Sequence, residues 1–333
     1  MWLKIVKRIL FFSIILLLLF FSWFTIEFVS SPHTPSRSLI LEIEKGRTAQ
    51  KIAQKLQEKQ VISKKWPFLA GYTLFYSSHS LKAGEYRFQI PLSPKKALKK
   101  LTQGKVYLHP VTVPEGLTIR EMAPLFQSAL SVEPKKFLEA ASNLQLISSI
   151  DPKAGDLEGY LYPETYHFPK GTSAQEIVAA MVSEFKEVFI PSWEARAKKI
   201  HLSVREVVIL ASLIEKETAV PEEKPLVSAV FHNRLDKGMK LDCDPTIIYA
   251  LKKKNKFGGR LRSQDLKLDS PYNTYIFGGL PPGPIANPGK ESLKAALYPA
   301  DVSYLYFVSK NDGSHHFSRT FKEHQRAVNK YQR

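Results

Sequence analysis

An α+β fold behind a single N-terminal membrane-spanning helix is predicted by three features of this sequence. The chain opens on a long uncharged apolar run, continues through a short stretch in which strand-like segments flank helical ones, and ends in a longer stretch where helical periodicities alternate with loops dense in Pro, Gly, Tyr and Asn. Its 333 residues leave room for two modest folded units beyond an anchor. With 44% hydrophobic and 24% charged residues, wholesale disorder is excluded. The lone cysteine, Cys243, excludes an intramolecular disulfide, so the fold must stand on its core.

Lys4, Lys7 and Arg8 precede the run from Ile9 to Ile26, which only Ser13, Ser22 and Thr25 interrupt. At about 1.5 Å per residue, such a helix nearly crosses a hydrocarbon core of roughly 30 Å. A cleaved signal peptide is the competing reading, but it would usually carry about 7–15 apolar residues and a small-x-small site. Here the run is longer and Glu27-Phe28-Val29 follows it. The expectation is a cytoplasmic tail over 1–8, a span over 9–29 and a Ser/Pro linker over 30–38, with the remainder outside by the positive-inside rule. Functions that draw on cytoplasmic ATP or NAD are then excluded.

A formal net charge of +17 implies attraction to something anionic: nucleic acid, acidic phospholipid or acidic wall polymer. There is no zinc-ligand pattern, RNP motif or Arg stripe interleaved with aromatics, so nucleic acid is not expected.

Residues 39–107 read as a small α+β unit. Leu39–Ile43 looks like a strand, Thr48 caps a helix carrying Ile52, Ala53 and Leu56, and a second helix runs near Trp66–Tyr76. A turn then leads into the alternating strand ending at Phe88, and Ser93 caps a helix through Leu101. This order suits a spacer or a glycan-binding module of the LysM kind. Over 108–333, helical patterns near 119–130, 134–142, 174–189 and 204–218 suit a helical scaffold carrying a groove.

The most informative helix ends in Glu215-Lys216-Glu217-Thr218 after eight residues, Val207 to Ile214, with one polar member. Helical spacing lays Glu217 over Ile214, Leu213 and Leu210, and Glu215 over Ser212, Ala211 and Val208. An apolar surround raises a carboxyl pKa, as a general acid at neutral pH requires, so Glu217 is the better candidate and Glu215 the second choice. A solvated helix end explains the same four letters.

Glu158-Gly159-Tyr160-Leu161-Tyr162-Pro163-Glu164-Thr165-Tyr166-His167-Phe168 alternates aromatics with carboxylates, either as platforms for sugar rings or as a strand with an aromatic core face. Asp242-Cys243-Asp244 could hold a divalent metal, yet no second ligand cluster accompanies it. Asp244-Pro245-Thr246 reads instead as a helix start capped by Asp244. The Pro/Gly run from Gly278 to Gly289, following Tyr272-Asn273-Thr274-Tyr275, reads as a rigid groove wall. His315 and His316 are adjacent on a strand-like stretch and point to opposite faces, a poor metal pair.

On Glu215-Lys216-Glu217-Thr218-Ala219, Asn233-Arg234-Leu235 with Gly238-Met239, Asp244-Pro245-Thr246, and Tyr272-Asn273-Thr274-Tyr275 with Gly279-Leu280-Pro281-Pro282-Gly283, the chain resembles the MltG/YceG-like family of endolytic murein transglycosylases. The resemblance spans nearly the whole chain. It implies a LysM-like domain, a catalytic domain acting on peptidoglycan glycan strands, and Glu217 as the catalytic residue, with neither metal nor cofactor. Tyr162, Glu164, Asn233, Asp244, Thr246, Tyr272, Asn273 and Tyr275 are expected to bind the glycan. The implied setting is the bacterial cytoplasmic (inner) membrane, N-terminus in, with peptidoglycan synthases as partners. Two alternatives stay open: a muramidase-type hydrolase, with Glu158, Glu164 or Asp244 as a second carboxylate, and a non-catalytic wall-binding scaffold.

Overall fold

A computed structural model of the chain describes residues 2–31 and 37–332, so most of the expected linker lies outside the described residues. The chain forms two compact units, Met1–His109 and Pro110–Arg333.

The first unit opens with α1 (Trp2–Val29), which starts early enough to take in the basic residues expected in a separate tail. It is apolar all round, and most of its large side chains are exposed. Such a helix needs an apolar surround. There follow β1 (Arg37–Ile43), α2 (Ala49–Glu58), α3 (Lys65–Gly71), a π-helical turn Tyr72–Tyr76, β2 (Gly84–Ile90) and α4 (Pro94–Gln103). β1 and β2 pair antiparallel, with Leu41 opposite Tyr86. Strand alternation sends Leu41, Ile43, Tyr86 and Phe88 into a core shared with Ile52 and Leu56 of α2 and Leu98 and Leu101 of α4. Both expected caps are made: Thr48 Oγ1 accepts from Lys51 N–H, and Ser93 Oγ from Lys96 N–H. The last turns of α1 enter this core through Phe24 and Phe28. There Trp23 stacks on Trp66 at 4.8 Å between centroids, and Lys64 donates to Glu27 at 2.7 Å.

In the second unit, β3 (Leu108–Thr112) pairs with β4 (Thr165–Pro169). Between them lie α5 (Ile119–Leu130) and α6 (Pro134–Ala140). After β4 come α7 (Ala174–Val188), α8 (Pro191–Lys199), α9 (Val204–Glu217), α10 (Lys224–Asp236), α11 (Asp244–Lys253) and α12 (Lys290–Leu297). The hairpin β5 (Tyr306–Ser309) and β6 (His315–Ser318), with α13 (Phe321–Tyr331), closes the chain. A Ser203/Glu206 capping box starts α9, whose residues from Val207 to Ile214 are all buried. Helices α8, α10, α11 and α12 pack against it. Its one polar core residue is satisfied: Ser212 Oγ donates to Ile209 C=O and accepts from Ile285 N–H.

The Pro/Gly run is tied down through Asn287, which has no exposed surface. Its Oδ1 accepts from Gly159 and Leu161 N–H, both at 2.9 Å, while its Nδ2 donates to Leu117 C=O and Glu158 Oε1. This corrects the strand reading of Glu158–Phe168, because regular pairing begins only at Thr165. Asn287 takes the amides of 159 and 161, and Gly159 turns the chain at φ +88° where a Cβ would sit 2.7 Å from Val208. Losing the Asn287 amide would strand the buried Gly159 and Leu161 N–H groups, each worth about 1–3 kcal/mol, and remove one of the donors to Leu117 C=O and to Glu158. Asn287→Ala is therefore expected to cost roughly 3–6 kcal/mol, measured as a fall in urea midpoint of the detergent-solubilised chain.

Candidate active site

α9 delivers its two carboxylates to different surroundings. Glu217 is its last residue, Thr218 turns the chain to extended backbone, and the Glu217 side chain lines an open cleft of about 590 Å³. Arg234 of α10, Asp242 and Asp244 beside the start of α11, Tyr275 of the long loop, and the β5–β6 hairpin with α13 form the remaining walls. Glu217 keeps only part of its surface accessible. Desolvation pushes its carboxyl up to about 7, assisted by the negative charge of Asp244 and opposed by a hydrogen bond from the Cys243 thiol and by the Arg234 charge. The buried Cys243 thiol is itself pushed up, by burial and by its carboxyl neighbour, which makes it a donor and not a nucleophile.

Glu215 faces the other way. Its Oε2 accepts from Ser292 Oγ at 2.6 Å and Gly289 N–H at 3.1 Å at the start of α12, and Lys224 Nζ lies 3.2 Å away with both side chains nearly inaccessible. That carboxylate locks α9 to α12 and α10, and it does not line the Glu217 cleft.

Of the other expected residues, the structure brings Asp244 and Tyr275 to Glu217. Asp244 does not cap α11, because Cys243 holds the cap position and Asp244 instead accepts from Tyr275 O–H at 2.7 Å. Thr246 and Asn273 are buried and spend their polar atoms internally, Thr246 Oγ1 on Cys243 C=O and Asn273 Nδ2 on Leu266 and Leu268 C=O. Asn233 Nδ2 fastens α10 to Val302 and Tyr304 C=O. Tyr272 packs on Tyr249, Tyr162 is buried in the main core, and Glu164 is exposed beside β4. None of these six lines the cleft. Glu158 borders a second cavity with Tyr249; burial pushes its carboxyl up to about 8, although Ile119 N–H and Asn287 donate to it.

Residues that sequence reasoning passed over complete the site. Arg234 Nε donates to Leu305 C=O at 2.7 Å and its Nη1 to Leu241 C=O and Asp242, while the guanidinium lies over the Tyr306 ring. His324 stacks on that ring at 5.2 Å, its pKa lowered by burial and by Arg234, with Nδ1 buried and unpartnered. Phe321 adds a third ring, and His315 enters from β6. Arg234 stood in a quoted motif and His315 in a histidine pair weighed only for metal; the others carried no local signal.

A carboxyl with a raised pKa, in a cleft that also holds Asp244, Tyr275 and several rings, is the arrangement a general acid–base site would use. The YceG-like family is matched over residues 41–330, and the chain belongs to that family. It is 33% identical over 307 residues to a protein of Bacillus subtilis strain 168 named endolytic murein transglycosylase, covering 87% of this chain and 84% of that one. A Streptococcus pneumoniae D39 protein of the same name is 29% identical over 318 residues, covering 86% of this chain and 57% of the longer relative. The crystal structure of a YceG-like protein from Listeria monocytogenes superposes with a TM-score of 0.60 at 33% identity, covering 87% of this chain and 98% of that one.

The two glutamates should separate on stability. Below pH 4.5 the Glu217 carboxyl is protonated in both folded and unfolded chains. As pH rises from 4.5 through about 7, the folded chain holds a proton that the unfolded chain has released, so stability falls, by at most about 3 kcal/mol once the open cleft is allowed for. Glu217→Gln should therefore stabilise the protein by about 1–3 kcal/mol at pH 8 and hardly at all at pH 4. Glu215→Gln should lose about 3 kcal/mol by leaving Lys224 buried without its closest carboxylate. Denaturant titrations at both pH values check the pair.

Proposed function

We propose that this chain is a membrane-anchored lytic transglycosylase that cleaves the MurNAc–GlcNAc β-1,4 bond within nascent peptidoglycan strands, leaving 1,6-anhydro-MurNAc ends and terminating glycan elongation. The observation that carries the reading is Glu217, alone among the acids of α9 in lining the cleft and held near pKa 7. The names of the bacterial relatives support the same reaction and substrate. Protonated Glu217 donates to the glycosidic oxygen as the C1–O bond breaks, and the GlcNAc-containing fragment leaves with that proton. The carboxylate then takes the proton of the MurNAc C6 hydroxyl as its oxygen closes on C1. One residue serves both halves, and neither water nor a cofactor is consumed.

The glycan lies in the Glu217 cleft, with Tyr306, Phe321 and His324 as ring platforms and Asp244 and Tyr275 as hydrogen-bonding groups. A hydrolytic reading has one observation in its favour, since Asp244 shares the cleft and could activate a water. In the first unit, the order β1-α2-α3-β2 supports a LysM-like module that also engages glycan. α1 is read as a retained anchor, N-terminus in, because Phe24 and Phe28 belong to the first unit's core and cleavage would remove them. That tether keeps the enzyme beside membrane-bound synthases, its proposed partners.

The detergent-solubilised chain is to be incubated with purified sacculi and the products weighed by mass spectrometry. Anhydro ends are expected; reducing ends would establish a hydrolase, and no new ends a scaffold. Glu217→Gln should reduce cleavage by at least about 10²-fold, and the wild-type rate should fall as pH rises past about 7, where the acid loses its proton.

A further inference from the structure

The residue after Glu217 is wired to the β6 wall of the cleft. Thr218 Oγ1 donates to Glu223 Oε2 at 3.2 Å, and that same oxygen accepts from His315 Nδ1 at 2.7 Å. The other oxygen, Oε1, accepts from His315 N–H at 2.8 Å. Glu223 is buried; burial alone would raise its pKa, but the His315 and Thr218 donors outweigh that and lower it. It is thus a carboxylate, an acceptor only, so the His315 proton must sit on Nδ1. With the Nδ1 proton so placed, the tautomer that can accept a hydrogen bond carries its lone pair on Nε2. The ring packs edge-on against Phe307 at 5.4 Å between centroids, which holds its plane, and it lines the cleft that holds Glu217.

We infer that His315 is a second substrate-contacting residue of this site, its Nε2 accepting a hydrogen bond from a sugar hydroxyl at the bond being cleaved, with Glu223 as its positioning residue. The inference rests on the transglycosylase reading. Within that reaction the hydroxyl that most needs orienting is the one that closes on C1. His315 moves no proton: the O–C1 bond forms, the glycosidic bond breaks, and Glu217 gives and recovers the proton as before. A sugar polymer presents hydroxyls in excess, and beside the Asp242 and Asp244 carboxylates His315 adds a fixed acceptor with which to choose among them.

Two substitutions divide the ring's functions. His315→Asn keeps an N–H donor where Nδ1 stood and removes Nε2, whereas His315→Gln places an amide oxygen near the Nε2 position and gives up the donor to Glu223. Initial rates of strand cleavage by the full chain in detergent are to be measured on uncrosslinked glycan strands, with thermal midpoints in parallel. We expect His315→Asn to keep its midpoint and lose about 10- to 100-fold in kcat/KM, the worth of one buried substrate hydrogen bond. His315→Gln should cleave faster than His315→Asn despite a lower midpoint. The reverse order, with His315→Asn near wild type and His315→Gln impaired in step with its stability, would make His315 a structural link and overturn the inference. Product type is read separately in the wild type: reducing ends overturn the transglycosylase reading while the order of the two variants still decides His315, and a wild-type chain that cleaves nothing overturns both.

Discussion

Everything in the catalytic unit is arranged around the burial of α9. Eight consecutive residues without surface leave that helix no solvent face, so α8, α10, α11, α12 and the loop through Ile285 must all close over it. A helix so enclosed cannot shift or rotate without opening the core, and its last residue is fixed in space to the same degree. Two acids at such a helix end are unfavourable twice over, through the helix dipole and through desolvation. The structure relieves one of them. Glu215 receives Lys224, Ser292 and the Gly289 amide at the cap of α12, and becomes a fastening. Glu217 receives a thiol and an open cleft, and it keeps its proton instead.

Glu158 shows that a raised pKa alone does not mark the site. Its carboxyl is pushed higher than that of Glu217, but its oxygens are taken by Ile119 N–H, Asn287 and Tyr249, which join the start of α5 to the Pro/Gly wall. A neutral acid with every oxygen occupied by protein is a connector. Glu217 differs in geometry: it opens onto a cleft large enough for a polymer, with rings along the wall.

Much of this was legible in the sequence, for local reasons. Helical periodicity and Ser/Thr caps are properties of a few neighbouring residues, so α2, α4, α5, α7 and α9 could be read directly, and spacing of three and four separated Glu217 from Glu215. What the sequence could not show depends on distant pairing. Thr246 and Asn273 look like binding groups because they stand in the motifs that carry the family resemblance, yet backbone groups without regular pairing need partners, and these two supply them to Cys243, Leu266, Leu268 and Tyr275. The alternation around Tyr160 has the period of a strand, and only Asn287, more than a hundred residues away, turns it into a bend. Tyr306, His315 and His324 are invisible as site residues until β5, β6 and α13 fold back towards the end of α9.

Desolvation sets the raised pKa of Glu217, and the nearby Arg234 cation opposes it less than the Cys243 thiol does. A guanidinium free to move in this cleft would pair with the carboxylate, draw its pKa back towards the ordinary range and remove the acid needed at neutral pH. It does not move freely. Nε is held by Leu305 C=O, Nη1 by Lys240 and Leu241 C=O and by Asp242, and the plane lies over Tyr306. Arg234 therefore lowers Glu217 only through space, less than desolvation raises it. The carbonyls that restrain it belong to the segment entering β5 and to the segment entering α11, both of which border the cleft. The same bonds that build the groove thus hold its guanidinium on protein carbonyls and Asp242, and the balance leaves the Glu217 carboxyl with a raised pKa, as the proposed acid–base role requires.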